Sequence, residues 1–518
     1  MQAALMGAST SFAAAKEPLP VPVSKAALQT LWVLDRSKTD EAWLATLATL
    51  QGLIARQGGT AQLYLSEAGS GHAIWPEEIA RRHAVKLRRA NSPEELLRAL
   101  ADAARGYIRF DSSKPETVNA ATLLAALRDA VVVDRIHETV AQAAGLKCLG
   151  DGGATTDVAL LKQRRSEFNF TALAEQSGER LWALRDYLVL GRLPSLYDGD
   201  IGGLAAGEYA GRDRAIFGWG NAGAGDGERA FIGRNSRLGL FTVPSDHASN
   251  FSVLSAFRQS EPLRQKTSSA SAPRGKKVHL VTFVLTDGDN AGWVLGGFAA
   301  NPRWFGSPAR GHFPMGYGLP PILADLAPDA LAWFYEQAAN TEKGRDYFVV
   351  GPSGAGYFFP SLYPAAALRE HTERLNALMA RTDLRLVEIL DQDALDRTDL
   401  WEEYLRQPQI DGLIYLDYAP YNKGQGRIVW AAGKPVVSAR TLLWQGLRGA
   451  DSASVVRELN AATRDLTSPE GYTLVSVHAW TQALADVEAV INQLDPAVQV
   501  VTPDIFFATL RGNLKPSS

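Results

Sequence analysis

Two carboxylates straddle a glycine at Asp287-Gly288-Asp289, with Asn290 next, directly behind the apolar run His279 to Leu285. A strand that ends in paired acids can offer one protonated and one ionised carboxyl to the same bond, which is what glycosidic cleavage requires. Other apolar runs end in comparable chemistry. Tyr347 to Val350 leads into Gly354-Ala355-Gly356-Tyr357-Phe358-Phe359-Pro360, and Gly412 to Leu416 leads into Asp417-Tyr418-Ala419-Pro420-Tyr421-Asn422-Lys423. Pro435 to Val437 ends in Ser438-Ala439-Arg440, and Thr473 to Val477 in His478-Ala479-Trp480. Parallel strands would bring these ends to one rim, and such a rim suits a sugar, whose C–H faces stack on rings and whose hydroxyls take polar partners. On this reading Asp287 or Asp289 is the general acid or base, and Asp417 is the partner carboxylate across the mouth. Tyr357, Tyr418 and Trp480 are platforms, while Asn290, Lys423, Arg440 and His478 hold hydroxyls.

The elements that must position these residues alternate along the chain. Strand patterns at His279 to Leu285, Tyr347 to Val350, Leu384 to Ile389, Gly412 to Leu416, Pro435 to Val437, Thr473 to Val477 and Val498 to Thr502 are separated by helical patterns such as Ala366 to Arg381 and Thr481 to Gln493. This alternation predicts an α/β chain whose C-terminal domain, residues 278–515, is a (β/α) barrel, complete or incomplete, with an open doubly wound sheet as its rival. Residues 25–265 read as N-terminal α/β layers, with a subdivision point near 180–190, and the small, polar and basic stretch 266–277 reads as the linker. The segment Gly191 to Gly233 is glycine-rich and aperiodic.

Plainer readings compete at each position. Asp289 and Asn290 can cap a helix, Asp417 can orient Lys423 or Arg440, Phe358 and Phe359 can pack in the core, and His478 can be a satisfied neighbour. Three further patterns fail. Gly218-Trp219-Gly220-Asn221-Ala222-Gly223 matches the dinucleotide pattern GxGxxG, yet no helical periodicity follows it. Gly351-Pro352-Ser353-Gly354 is half of a nucleophile elbow, with Ala355 where glycine is needed. Thr286 to Asp289 resembles the acidic motif of metal-dependent polysaccharide deacetylases, but no histidine pair four residues apart accompanies it. A metal held by Asp289, His312 and His478 would have to be assembled from distant ligands, so neither metal nor cofactor is expected.

The run Gly354 to Pro360 resembles the signature of the bacterial GxGYxYP family of glycoside hydrolases, with Phe359 where the family has tyrosine. The resemblance extends over both halves and is better in the C-terminal one, where it implies a barrel-like domain. It also implies that the Gly218-Trp219 segment with a following acid, and Ser245-Asp246 ahead of Asn250-Phe251-Ser252, border the same site. Glu228 and Asp246 thereby become reserve carboxylates and Trp219 a further wall. The motif itself holds no acid or base apart from a phenol, so its expected part is to line the site with Tyr357. The function expected is glycoside hydrolysis. A non-catalytic glycan-binding protein on the same rim is the alternative, and a metal-dependent deacetylase the remoter one.

Composition narrows the partners. The 518 residues carry 53 basic and 56 acidic side chains, a formal net charge of −3, which leaves no global basic field for nucleic acid. Cys148 is the only cysteine, so no intramolecular disulfide forms. No apolar run approaches the roughly 20 residues of a membrane-spanning helix. Residues Met1 to Ala15 are small and apolar before Lys16, and resemble the end of a secretory signal without its positive start. An extracytoplasmic location is the expectation, and a disordered tail on a cytoplasmic protein is the alternative. The oligomeric state is not legible.

Overall fold

A computed structural model describes residues 21–177, 180–209, 212–220, 227–259, 261–267 and 277–514. The signal-like stretch, residues 221–226 and most of the expected linker, 268–276, lie outside the described residues. Three small parallel sheets are built first along the chain. β1 (Thr30–Asp35) lies between β2 (Ala61–Ser66) and β3 (Lys86–Arg89), and β4 (Tyr107–Phe110) lies between β5 (Val131–Asp134) and β6 (Cys148–Asp151). The third sheet runs β10 (Leu240–Val243), β9 (Arg214–Trp219), β7 (Ala172–Gln176), β8 (Ser195–Tyr197). The glycine-rich segment read as aperiodic contains two helices, Ile201–Tyr209 and Gly227–Arg237. The second buries Phe231, Ile232, Asn235 and Ser236. Only two of those are apolar, which is why no hydrophobic stripe betrayed it.

The C-terminal sheet is a curled, open half-barrel. Its strands are β11 (His279–Leu285), β12 (Met315–Leu319), β13 (Asp346–Val350), β14 (Leu386–Asp391), β15 (Gly412–Asp417), β16 (Ile428–Ala431), β17 (Lys434–Ser438), β18 (Thr441–Leu443), β19 (Tyr472–Val477) and β20 (Val498–Val500). The order is β16-β17-β15-β14-β13-β12-β11-β19-β18, with β20 also on β11, and every pairing is parallel except β16 with β17. The barrel stays open because β18 does not pair with β16 or β17. The chain crosses that gap at Ala439, whose N–H reaches Tyr415 O (2.9 Å), and Arg440, whose N–H reaches Leu474 O (3.1 Å). β12 escaped the sequence reading because Gly316 and Gly318 dilute its apolar pattern. Glycine is needed there: a Cβ on Gly288 would lie 2.2 Å from the Gly318 carbonyl carbon, so the two backbones touch.

N- and C-terminal parts share one apolar core. It runs from Leu31 and Trp75 through Tyr187 and Phe251 to Phe298 and Leu331. Trp75 is buried and donates its indole N–H to Leu295 O across the boundary at 2.8 Å, with its ring edge-on to Trp333. Asn250 docks the third sheet on the first, accepting from Leu65 N (2.9 Å) and Gln51 Nε2 (2.7 Å) and donating to Leu65 O. Gln265 and Lys266 lie against the C-terminal domain, bonded to Phe348, Asp383, Glu336 and Ala338. Among the described residues no helix is long and apolar enough to cross a membrane.

The Gly354–Pro360 run follows β13 and is a seam between domains. Tyr357 pairs antiparallel with Thr242 of β10, N–H to O at 2.6 Å one way and 2.8 Å the other. Behind it, Ala355 N donates to Nε2 of buried His371 (3.2 Å), so that nitrogen is the acceptor and Nδ1 carries the proton toward Asp213 Oδ1 (2.8 Å). Tyr363 closes the network on the same Asp213 oxygen at 2.8 Å. A Cβ on Gly356 would stand 2.4 Å from Thr242 O. Gly356→Ala is therefore expected to push β10 off the motif and cost about 1–3 kcal/mol. Thermal melts should show a lower midpoint than for Gly512→Ala, where no atom lies within 4 Å; equal midpoints would refute the seam's contribution.

Candidate active site

Parallel strands from two sheets end around one cavity of about 270 Å³. Trp219 ends β9, and Pro244 and Asp246 follow β10. Thr286, Asp287, Asp289 and Asn290 follow β11, and Pro352 and Tyr357 follow β13. Glu388 and Leu390 come from β14, Leu416 from β15, and Tyr421, Trp444, His478 and Trp480 from the segments after β15, β18 and β19. The cavity lies between the domains, with one wall from each.

Its carboxyls have different surroundings. Asp287 sits at φ +65°, where the chain turns sharply off β11. Trp480 Nε1 donates to its Oδ1 at 2.8 Å, and the Thr286 hydroxyl donates to Oδ2. Burial raises the Asp287 carboxyl, and these two donors pull it back toward the ionised form. Asp289 is 8% exposed, no described side chain donates to it, and burial together with the charges of Asp287 and Glu228 pushes it well above the usual carboxylate range. Glu228 is the second residue of the helix Gly227–Arg237; burial raises it, while the Tyr357 hydroxyl, at 3.1 Å from Oε1, opposes the shift. Glu388 is 2% exposed, with Oε2 buried and unpartnered, and burial followed by Asp287 and Asp289 pushes it well above its ordinary value. Asp246 is tied to His247 at 3.1 Å.

Rings complete the walls. His478 lies flat on Trp444, 3.5 Å between centroids and 6° apart, and Trp444 stacks on Tyr421 at 4.4 Å. Burial lowers His478 to about 4, leaving it neutral near pH 7, with Nδ1 against Thr481 Oγ1 at 2.9 Å. Trp480, 44% exposed, leans on Trp293 at the rim. Asn290 borders the cavity and also caps the short helix after it, accepting from Trp293 N at 2.9 Å, as the plainer reading had it.

Asp417, Tyr418, Lys423 and Arg440 do not reach this cavity. Along β15 successive side chains face opposite ways: Leu416 lines the cavity, so Asp417 points to the other face. There it is 4% exposed and accepts from Asp393 N (2.9 Å) and Tyr415 Oη (3.1 Å). Lys423 pairs with Asp393, Tyr418 packs edge-on against Phe359, and the Arg440 carbonyl accepts from Asn422 Nδ2 at 3.0 Å. The same alternation explains Glu388, which shares a face with Leu390. Among the acidic and aromatic lining residues, Glu388, Tyr421 and Trp444 are those that the sequence reading did not single out. A lone acid inside the apolar run Leu386 to Leu390 was the available signal for the first. His312 lies outside the cavity lining and pairs with Glu488 at 2.8 Å. Among the described residues no three His, Cys, Asp or Glu side chains are grouped as metal ligands.

The family model "GxGYxYP putative glycoside hydrolase C-terminal domain" matches residues 277–511, and the first, second and third N-terminal domain models of the same family match residues 30–102, 104–187 and 169–256. No curated protein matches the sequence. A crystal structure described as a "putative hydrolase" from Bacteroides thetaiotaomicron is similar at 28% identity and a TM-score of 0.87, covering 97% of this chain and 99% of that one.

Proposed function

The chain belongs to the GxGYxYP family, and from that premise we propose that it hydrolyses a glycosidic bond in the interdomain cavity, with Asp287 and Glu228 as the working carboxyls. The observation that carries this reading is the difference in their surroundings. Burial raises the Asp287 carboxyl too, but two donors on its oxygens favour its charged form, and in this reading it is the partner at the anomeric carbon, as nucleophile or as base toward water. Burial raises the Glu228 carboxyl, which favours its protonated form, and as the acid of this reading it gives its proton to the departing oxygen. With Asp287 as nucleophile, the Glu228 carboxylate takes a proton from the incoming water in the second half of the cycle; with Asp287 as base, Asp287 takes that proton in a single step. Trp219 and Trp480 are the rings available to the pyranose, while Trp444, sandwiched between His478 and Tyr421, backs the wall. Asp289 and Asp246 line the cavity beside the reacting pair.

This reading gives the family's tyrosine a task. The Tyr357 hydroxyl stabilises ionised Glu228, so removing it raises the acid's pKa further. A general acid works only while protonated, and its activity falls as pH rises through that pKa. Tyr357→Phe is therefore expected to move the alkaline limb of the kcat/KM profile to higher pH. An unmoved or acid-shifted limb would contradict the assignment.

The direct test is a panel of aryl glycosides with the full chain, using Asp287→Asn as the control. Hydrolysis above the control supports an enzyme. Calorimetric binding of glycans with no hydrolysis above the control would instead make the protein a glycan binder.

A further inference from the structure

The cavity lining holds five carboxyl groups, and no lysine or arginine among the described residues. The cations nearest in sequence are engaged elsewhere: Arg229 donates to Gln392, Arg234 to Glu175 and Lys423 to Asp393. His478 on the lining is neutral. A sugar bearing carboxylate or sulfate would find no lysine or arginine on the lining to pair with. Glu388 adds an independent observation, since its Oε2 is buried in the floor with no partner among the described residues. An unpaired buried acceptor is costly, and a donor brought by the ligand would satisfy it. On the same lining, the exposed Trp480 attracts cations as well as C–H groups.

We infer that the sugar taken into this cavity is cationic, a hexosamine with a free 2-amino group, its ammonium directed at Glu388 and the neighbouring aspartates. The inference rests on the glycoside hydrolase reading and names its substrate class. An ammonium has three donors and a compact charge, which matches several carboxyl oxygens at once, whereas an N-acetylated sugar offers one amide N–H. A cavity of about 270 Å³ holds one such ring.

The test is calorimetric titration of the full chain near pH 7 with glucosamine, N-acetylglucosamine, glucose and glucuronate, beside hydrolysis of the matching 4-nitrophenyl glycosides. Glucosamine is expected to bind at least tenfold more tightly than glucose or N-acetylglucosamine, and glucuronate least. Glu388→Gln should lower glucosamine affinity at least tenfold while glucose affinity, which also reports folding, stays put. Hydrolysis of neutral glycosides with glucose bound as tightly as glucosamine would overturn the charge inference and leave the hydrolase reading standing. Preferential glucosamine binding with no hydrolysis of any glycoside would support the charge inference and sink the enzyme reading. No binding of any of the four sugars would overturn the inference.

Discussion

Asp287→Asn is expected to lower kcat/KM on aryl glycosides by roughly 10³-fold or more, about 4 kcal/mol of transition-state stabilisation. The change removes a charge and the second acceptor oxygen, to which the Thr286 hydroxyl donates. Asparagine keeps an acceptor for Trp480 Nε1 at the site of the 2.8 Å bond, and it tolerates the left-handed φ of +65° better than any residue but glycine. The variant's melting temperature should accordingly stay close to that of the parent, which separates a catalytic loss from a folding loss. Retention of activity within tenfold would remove Asp287 from the reaction. The likeliest confusion, a collapsed Trp480, is checked by tryptophan fluorescence. An unchanged spectrum with lost turnover places the effect on the carboxylate.

The second large effect belongs to Glu228→Gln, and it depends on the leaving group. With a poorly activated aglycone, whose oxygen must be protonated as it departs, the loss should be on the order of 10²–10⁴-fold. With a dinitrophenyl aglycone, which departs as a stable anion, the loss should shrink to a few-fold. Glutamine still accepts from the Tyr357 hydroxyl at the position of the 3.1 Å bond, so the motif has no reason to move. A gap between the two substrates identifies the proton donor; equal losses on both would mean that Glu228 shapes the cavity without donating.

Much of this site was legible from one rule, that chemistry gathers where parallel strands end. Asp287, Asp289, Asn290, Tyr357, His478 and Trp480 were found by it, and all line the cavity. The rule failed where phase mattered. Asp417 ends β15 one residue out of step with the inward face, and Glu388 is in step three residues before the end of β14, a strand end that drew no attention. Phase is decided by how a strand sits in the sheet, and single-strand patterns that are apolar on both faces do not record it. Trp444 was hidden because β18 is three residues long, too short to announce itself. The family resemblance supplied Glu228, Asp246 and Trp219, which no strand-end argument in the C-terminal half reaches. The open seam of the barrel was also beyond the sequence, since closure depends on whether β18 meets its neighbours across the gap.

The paired backbones of Thr242 and Tyr357 have a meaning for heredity. One wall of the cavity is encoded before residue 250 and the other after residue 285. A recombination that moved the C-terminal unit to another gene would carry Asp287 and the aromatic rim but leave Glu228 and Trp219 behind, together with the strand on which the motif is laid. Four sequence units therefore amount to one selectable unit. Such a chain diversifies by point substitution inside the cavity and is poorly suited to trading its parts.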